Sequence, residues 1–258
     1  MNRITELFQK KQKDILSVYF TAGFPHPDDT VPILEALAAQ GADMAEIGIP
    51  FSDPMADGET IQNSSQTALK NGMTLRKLFS QLKDIRSKVD IPLVMMGYLN
   101  PIMQYGIENF CRDCAETGID GAIVPDLPLA DYLRDYKPAA DRYGLKFIML
   151  ITPETSEERI RLIDEHTDGF IYMVSTAATT GTQDRFDERT LAYFRRIDGM
   201  GLRNPRLIGF GISNPQTLRA AQRHAAGAIV GSGFIKALAA SPNDIPGAVA
   251  HLLGQLRK

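Results

Sequence analysis

The sequence predicts an α/β protein of the (β/α)8 class, a TIM barrel with an extra N-terminal helix. Short apolar runs alternate with amphipathic stretches from one end of the chain to the other, as in a parallel sheet covered by helices. Eight such runs are almost continuously apolar, which is typical of strands buried on both faces. The length of 258 residues is close to the roughly 250 of one such barrel. We therefore predict a single (β/α)8 barrel domain spanning residues 1–258.

The apolar runs define the predicted strands, which lie at 15–23, 44–49, 92–98, 121–126, 146–151, 169–175, 206–212 and 226–232. Between them, segments such as TLRKLFSQLKDIRSKV and NPQTLRAAQRHAAG carry apolar residues at helical spacing. ITELFQKK predicts a helix before the first strand and AVAHLLGQLRK one after the last. An open eight-stranded sheet would show the same alternation, so the pattern favours a closed barrel without proving closure.

Charge and hydropathy argue against nucleic-acid and membrane roles. The chain has 28 Lys and Arg against 31 Asp and Glu, a net charge of -3, and no basic cluster of the kind that binds nucleic acid. The N-terminus has no apolar signal core, and no run approaches the roughly 18 apolar residues of a membrane span. We expect a cytoplasmic protein that binds neither nucleic acid nor membrane.

The cysteines and histidines do not form a metal-binding pattern. Cys111 and Cys114 have CxxC spacing, but no second pair completes a zinc site, so we expect two reduced thiols at a helix surface. The histidines lack metal-ligand spacing and stand at 26, 166, 224 and 251. No metal is predicted.

Two connections are longer than a barrel needs, at residues 50–73 after the second strand and 176–186 after the sixth. Functional loops of this architecture follow the carboxyl ends of strands. Both are therefore candidates for lids or for contacts with a partner.

Glu46 is a charged residue inside the apolar strand MAEIGI. Strand alternation places it on one face with Met44 and Gly48. A carboxylate directed into a barrel mouth loses solvent, which raises its pKa and suits it to general acid–base catalysis. The competing interpretation is a structural ion pair with a buried Lys or Arg.

Two further side chains could belong to a site, although their surroundings in the sequence also suit structural roles. Asp57 lies in the loop PFSDPMADGETIQ, where it or Asp53 could equally form a turn or cap a helix. Tyr172, in FIYMVS, could be an ordinary core tyrosine.

Glycine-bearing junctions follow the seventh and eighth predicted strands, in GFGISNP (209–215) and VGSGF (230–234). Glycine lets the backbone approach a ligand, and helix N-termini direct N–H groups at anions. Phosphate binding at these two strands recurs in (β/α)8 barrels, so we predict it here.

The string EIGIPFSDPMADGETIQ resembles the signature of the tryptophan synthase α subunit family. The resemblance continues through YFTAGFP, GYLNPI, VPDLP, FIYMVS, GFGIS and VGSGFIK, and so covers nearly the whole chain. It implies a lyase of tryptophan biosynthesis that cleaves indole-3-glycerol phosphate, in a retro-aldol sense, to indole and glyceraldehyde 3-phosphate.

The resemblance also implies roles for individual residues. Glu46 matches the family's general acid–base, Asp57 the carboxylate that engages the indole N–H, and Tyr172 a tyrosine that lines the substrate site. The groups implied to hold phosphate are those of Gly181, Gly211, Gly231, Ser232 and Gly233. The family uses no cofactor in this chain, and pairs it with a pyridoxal-phosphate-dependent β subunit in an α2β2 heterotetramer. Loops 50–60 and 176–186 are then expected to form or border the docking face.

Two positions depart from the family pattern. Ala178 stands where a glycine is usual before the Thr-Gly pair, and Glu59 replaces the proline that usually follows ADG. Both departures bear on loop closure and partner coupling more than on chemistry. The alternatives are another phosphate-binding barrel enzyme, and an inactive barrel that only activates a partner subunit.

Overall fold

Eight parallel strands close into a barrel in the computed structural model, which describes residues 1–175 and 185–257. Each strand pairs with the next in sequence order, and the last pairs with the first. The strands are β1 (Ile15–Thr21), β2 (Met44–Gly48), β3 (Leu93–Met96), β4 (Gly121–Ile123), β5 (Lys146–Ile151), β6 (Ile171–Val174), β7 (Arg206–Gly209) and β8 (Gly227–Val230). The predicted fold class is confirmed, and closure excludes the open sheet.

Helices cover the outside of the barrel. They are α1 (Arg3–Lys10), α2 (Thr30–Ala39), α3 (Glu59–Lys70), α4 (Leu75–Leu82), α5 (Leu99–Tyr105), α6 (Ile107–Thr117), α7 (Leu129–Asp131), α8 (Lys137–Tyr143), α9 (Glu157–His166), α10 (Glu188–Asp198), α11 (Pro215–His224), α12 (Ser232–Ala240) and α13 (Ile245–Leu256). A π-helical turn, Tyr132–Tyr136, joins α7 to α8, and a 3-10 turn, Ile85–Ser87, follows α4.

The long loop predicted at 50–73 is wrong in its second half. Helix α3 occupies Glu59–Lys70, so the irregular connection after β2 is only 50–58. The inner face of α3 is built from Ile61, Ser64, Ser65 and Ala68, and its small polar residues conceal the helical pattern.

The apolar core has two layers. The larger one lies between the strands and the surrounding helices. The smaller one fills the barrel with inward-facing strand residues, among them Met44, Val94, Ile148 and Tyr172. Helix α1 closes the lower end of the barrel, where Ile4 is fully buried in this inner layer.

Local capping explains where several helices begin and end. The side chain of Thr74 accepts the Lys77 N–H at the start of α4, and Asn214 forms a capping box ahead of α11. Helix α6 ends at Gly118, whose φ of 75° lies in the left-handed region that favours glycine.

Cys111 and Cys114 lie on α6, as predicted, but not at its surface. Both are free and fully buried, because the face that carries them packs into the larger core layer. Burial raises the pKa of the Cys111 thiol to about 12, so it stays protonated near neutral pH. In the described part of the chain, no helix combines the length and apolar character that a membrane crossing requires.

Candidate active site

Glu46 lies on the inner face of β2, between Tyr19 of β1 and Val94 of β3 in the strand register. It is 0% exposed, and Met44 on the same face lies within the inner core layer. Alternation along the strand therefore directs the carboxylate into the barrel, as the sequence predicts.

The two oxygens of Glu46 have different surroundings. Oε1 accepts a 2.7 Å hydrogen bond from the Ser17 hydroxyl, whereas Oε2 has no hydrogen-bond partner among the described residues. None of the ion pairs within residues 1–175 and 185–257 includes Glu46, so the structural ion pair is not found there. Burial raises the pKa of Glu46 from 4.5 to about 7, and the Ser17 hydrogen bond opposes that rise. Near neutral pH both protonation states are populated.

Asp57 lies in the loop between β2 and α3, and Tyr98 holds its side chain. The Tyr98 hydroxyl donates to Asp57 Oδ2 at 2.9 Å and accepts the Ala56 N–H at 2.9 Å. The amide of Gln62 donates to the Asp57 carbonyl at 2.7 Å. Burial raises the pKa of the Asp57 carboxyl, and the hydrogen bond from Tyr98 lowers it. The carboxylate is thus held by Tyr98, just after β3, and the backbone of the same residue is held by Gln62 of α3.

Asp53 lies on the same loop, but its side chain is exposed and accepts a hydrogen bond from the neighbouring Ser52. The structure therefore separates two aspartates that the sequence left equivalent.

A small cavity opens beside Asp57 at the carboxyl ends of the strands. Its walls are mainly aromatic and apolar, and its lining comprises Tyr19, Ile49, Phe51, Pro54, Asp57, Ser65, Met96, Gly97, Tyr98 and Pro125. The rings of Phe51 and Tyr98 pack 5.3 Å apart between centroids. The cavity thus places the Asp57 carboxylate beside aromatic side chains.

Tyr19 is a site residue that the sequence analysis missed. Burial is the largest cause of its raised pKa, followed by the negative charge of Asp57, with Glu46 contributing less. Tyr19 therefore lies within electrostatic reach of both carboxylates and stays a neutral phenol. A tyrosine in an apolar strand gives no signal that distinguishes it from a core residue.

Tyr172 lies on the inner face of β6, 4% exposed, across the barrel from β2. Burial, then the charges of Glu46 and Asp57, raise the pKa of its hydroxyl. Its ring meets Phe210 edge-on, with centroids 6.3 Å apart. The structure thus brings Tyr172 near the two predicted catalytic acids.

Two glycines make room for these phenols. A Cβ atom on Gly48 would collide with the Tyr19 hydroxyl, and one on Gly209 would collide with the Tyr172 hydroxyl. Neither glycine was predicted as a site residue, because a glycine in a strand does not show in the sequence which side chain packs over it.

The predicted phosphate-binding glycines lie at the ends of β7 and β8. Gly211 has a φ of 71° and follows Phe210, whose carbonyl accepts a 2.7 Å hydrogen bond from the Ser175 hydroxyl. Gly231 precedes Ser232, the first residue of α12, and no side chain of residues 1–175 or 185–257 caps that helix. The first N–H groups of α12 are therefore available to an anion.

The remaining predicted phosphate contacts are less direct. A Cβ on Gly233 would face Leu252 and Val230 at 3.7 Å, an ordinary van der Waals distance, so lack of space does not explain this glycine. Gly181 and Ala178 lie outside the described residues, and Glu59 is the exposed first residue of α3. The described residues contain no cluster of three or more His, Cys, Asp and Glu that could hold a metal.

A family model for the tryptophan synthase alpha chain matches residues 5–257. The chain belongs to the tryptophan synthase alpha chain family. An alpha chain from Parabacteroides distasonis is 65% identical over 238 residues, which cover 92% of this chain and 93% of the relative. One from Phocaeicola vulgatus is 62% identical over 257 residues and covers 100% of both.

Solved structures agree with this membership. The chain superposes on a chain of a tryptophan synthase complex from Pyrococcus furiosus with a TM-score of 0.86 and 34% identity, over 95% of this chain and 98% of the other. The resemblance seen in the sequence is confirmed. The chain is a lyase of amino-acid biosynthesis that catalyses the alpha reaction, and the two alternative functions are wrong.

Proposed function

We propose that this chain cleaves indole-3-glycerol phosphate to indole and glyceraldehyde 3-phosphate, with Glu46 transferring protons and Asp57 engaging the indole N–H. One observation carries the proposal. A fully buried Glu46, with a pKa near 7 and one carboxylate oxygen without a partner among the described residues, lies in the same barrel mouth as a second carboxylate. A group that titrates near the working pH can act as both acid and base.

The chemistry requires two proton movements of opposite sense. Neutral Glu46 donates a proton to C3 of the indole, which leaves a cationic ring. The ionised carboxylate then takes the proton of the adjacent glycerol hydroxyl, while the carbon–carbon bond breaks and its electrons return to the ring. The hydroxyl carbon becomes the aldehyde of glyceraldehyde 3-phosphate, and Glu46 ends protonated as it began.

Asp57 stabilises the positive charge that develops on the ring nitrogen. Its Oδ2 is held by Tyr98 at 2.9 Å, so the carboxylate is positioned before the substrate arrives. We expect Asp57→Asn to lower indole release about a hundredfold, because a neutral amide retains a hydrogen bond but loses the charge. Activity equal to wild type would rule out charge stabilisation at this position.

The indole ring is proposed to lie against Tyr19, Phe51 and Tyr172. Two of these rings border the cavity, and Tyr172 lies within reach of both acids. Their aromatic walls exclude water, which strengthens the electrostatic contribution of each carboxylate.

The phosphate is proposed to bind at the ends of β7 and β8, through N–H groups of Gly211, Gly231 and Gly233 and the hydroxyl of Ser232, with Gly181 closing over it. The uncapped N-terminus of α12 supports this placement. Gly231→Val should weaken binding of a glycerol-phosphate analogue. A Cβ there would also lie 3.4 Å from the Tyr19 ring, so Gly231→Ala is the gentler companion variant.

We infer that a β subunit holding pyridoxal phosphate is the partner, in an α2β2 heterotetramer, and that this chain itself needs no cofactor. One of its solved neighbours is a tryptophan synthase complex. Loops 50–60 and 176–186 are the proposed docking regions, and Met55 on the first is 83% exposed close to Asp57. Docking would order the loop that carries a catalytic acid and would pass apolar indole directly to the partner.

We also propose that residues 1–258 form one domain, since the closed barrel and its helices take up the described chain. A cytoplasmic location suits an enzyme of amino-acid biosynthesis that acts on a phosphorylated metabolite.

The deciding experiment incubates the purified chain with indole-3-glycerol phosphate and measures both products, with and without a cognate β subunit. We expect slow release of indole and glyceraldehyde 3-phosphate in equal amounts by the chain alone, and a large increase on adding the β subunit. Absence of both products in both reactions would refute the proposed substrate. Full activity alone, unchanged by a β subunit that binds, would refute only the coupling.

A further inference from the structure

The Glu46 carboxylate has one restrained oxygen and one without a partner among the described residues, and a neighbouring strand causes the difference. We propose that Ser17 is a positioning residue for the alpha reaction: its hydroxyl holds Oε1 of Glu46 so that Oε2 is the atom that exchanges protons with the substrate. The inference rests on the proposed role of Glu46.

Ser17 is placed for this role by the register of β1 and β2. It pairs with Met44, one step below Glu46 on the inner face, and reaches the carboxylate diagonally with its Oγ 2.7 Å from Oε1. Ser17 and Glu46 are both 0% exposed. No solvent competes for this hydrogen bond, so it restrains the Glu46 side chain more than a surface contact would.

A serine is unusual at this level of the barrel. The inward positions around it are apolar, with Ile15 before it on the same strand and Ile229 opposite it in the register with β8. A buried hydroxyl there has no packing advantage over an aliphatic side chain, and leaving it unpaired would be unfavourable. Among the described residues, the acceptor that it contacts is Glu46, the proposed acid–base.

In the part of the chain that the structure describes, the other titratable groups that face Glu46 are phenols. Tyr19 approaches from β1 and Tyr172 from β6, and the charge of Glu46 raises the pKa of both. Asp57 lies beyond them, on the loop after β2, where its charge acts on the same two phenols. Both phenols stay neutral near pH 7, which leaves the Ser17 hydroxyl as the group that lowers the pKa of Glu46 against the effect of burial.

Ser17→Ala removes the hydrogen bond and leaves the strand apolar. We expect kcat to fall about three- to tenfold with KM changed less than about twofold, the loss that corresponds to one hydrogen bond. The Ser17 hydrogen bond lowers the pKa of Glu46, so its loss should raise that pKa. In the pH profile of kcat, the limb that reports Glu46 should therefore move to higher pH by about half a unit to one unit.

Two companion variants separate positioning from packing. Ser17→Cys keeps the size of the side chain with a weaker donor, and should give a smaller shift in the same direction. Thr167→Val removes another fully buried hydroxyl, which bonds the backbone of β5 at the Phe147 carbonyl and the Met149 N–H, and should leave the pH profile unchanged.

A second measurement needs no substrate. The carboxyl of Glu46 is titrated by NMR in protein labelled with 13C at glutamate side chains, with Glu46→Gln identifying its resonance. We expect a midpoint near 7 in the wild type and a higher one in Ser17→Ala and Ser17→Cys. Unchanged midpoints in the two serine variants would overturn the proposal, even if their kcat fell. If the wild type released no indole, the proposed function would fail, but the titration would still show whether Ser17 lowers the pKa of Glu46. If Ser17→Ala did not fold, the Ser17→Cys midpoint would give the same answer.

Discussion

Two buried carboxylates lie at opposite ends of the same barrel, and they are satisfied very differently. Asp120, at the N-terminal end before β4, is 4% exposed and accepts hydrogen bonds from Arg86 Nη2 at 2.6 Å, the Leu93 N–H at 3.0 Å and the Arg3 N–H at 3.2 Å. Glu46, at 0% exposure, accepts one from within the described residues, the bond from Ser17.

The difference indicates what each carboxylate is for. Asp120, just before β4, bonds the backbone of α1 at Arg3 and that of β3 at Leu93. Its charge is balanced by the Arg86 guanidinium, which also donates to the Gly118 carbonyl. A fully bonded acid has no capacity left for a substrate. A buried acid whose second oxygen has no partner among the described residues is poised for chemistry, at some expense in stability.

The largest expected effect concerns the acid with the free oxygen. Glu46→Gln keeps shape and volume but cannot exchange a proton, so we expect indole release to fall about a thousandfold or more while the circular dichroism spectrum is unchanged. Near-normal turnover by the folded variant would remove Glu46 from the proposed mechanism.

Next in size is the structural acid. Asp120→Ala leaves Arg86 without its buried counter-charge, and we expect the free energy of unfolding to drop by roughly 3 to 5 kcal/mol, measured by urea denaturation. Activity of the protein that remains folded should be close to wild type. A selective loss of kcat without loss of stability would contradict the division between the two ends.

A third prediction uses pH. The folded-state pKa of Glu46 is about 7 against an ordinary value of 4.5, so its contribution to stability is fully present below pH 4.5 and is lost as pH rises through 7. Relative to Glu46→Gln, the wild type should lose about 3 kcal/mol of unfolding free energy between pH 4.5 and pH 8. Parallel stability curves for the two proteins would show that Glu46 is not strongly perturbed.

The smallest expected effect tests the support of the loop-borne acid. Tyr98→Phe keeps the ring against Phe51 but removes the hydroxyl that Asp57 accepts from, and we expect kcat/KM to fall about fivefold, the value of one hydrogen bond. Since the Tyr98 hydrogen bond lowers the pKa of Asp57, losing that bond should raise the pKa of the Asp57 carboxyl. The matched control is Tyr132→Phe, a buried tyrosine stacked on Phe147, which should leave kcat/KM unchanged.

Much of the fold could be predicted, because parallel strands buried on both faces leave a plain apolar signal. Each predicted strand overlaps an observed one, and alternation in MAEIGI places Glu46 inward. The second half of the loop predicted at 50–73 is helix α3. Its helical pattern is hard to see in the sequence because Ser64 and Ser65 contribute to the buried face, where apolar residues are usual.

The candidate site was predictable only in part. Glu46 carries its own signal, a charge in an apolar strand, whereas Asp57 was indistinguishable from Asp53 without the family resemblance. Tyr19 and Tyr98 were missed because their role depends on contacts with residues distant in sequence; Tyr98 meets Asp57 across 41 positions.

The sequence by itself determined the alternation of strands and helices, the face of β2 on which Glu46 lies, and the family, since periodicity and motif are properties of neighbouring residues. Only the tertiary structure decided that the sheet closes between β1 and β8, that Asp57 rather than Asp53 is held by Tyr98, and that Ser17 meets Glu46 across 29 positions. The physical reason is that the register between strands places a hydroxyl against one carboxylate oxygen, and no local pattern encodes that register.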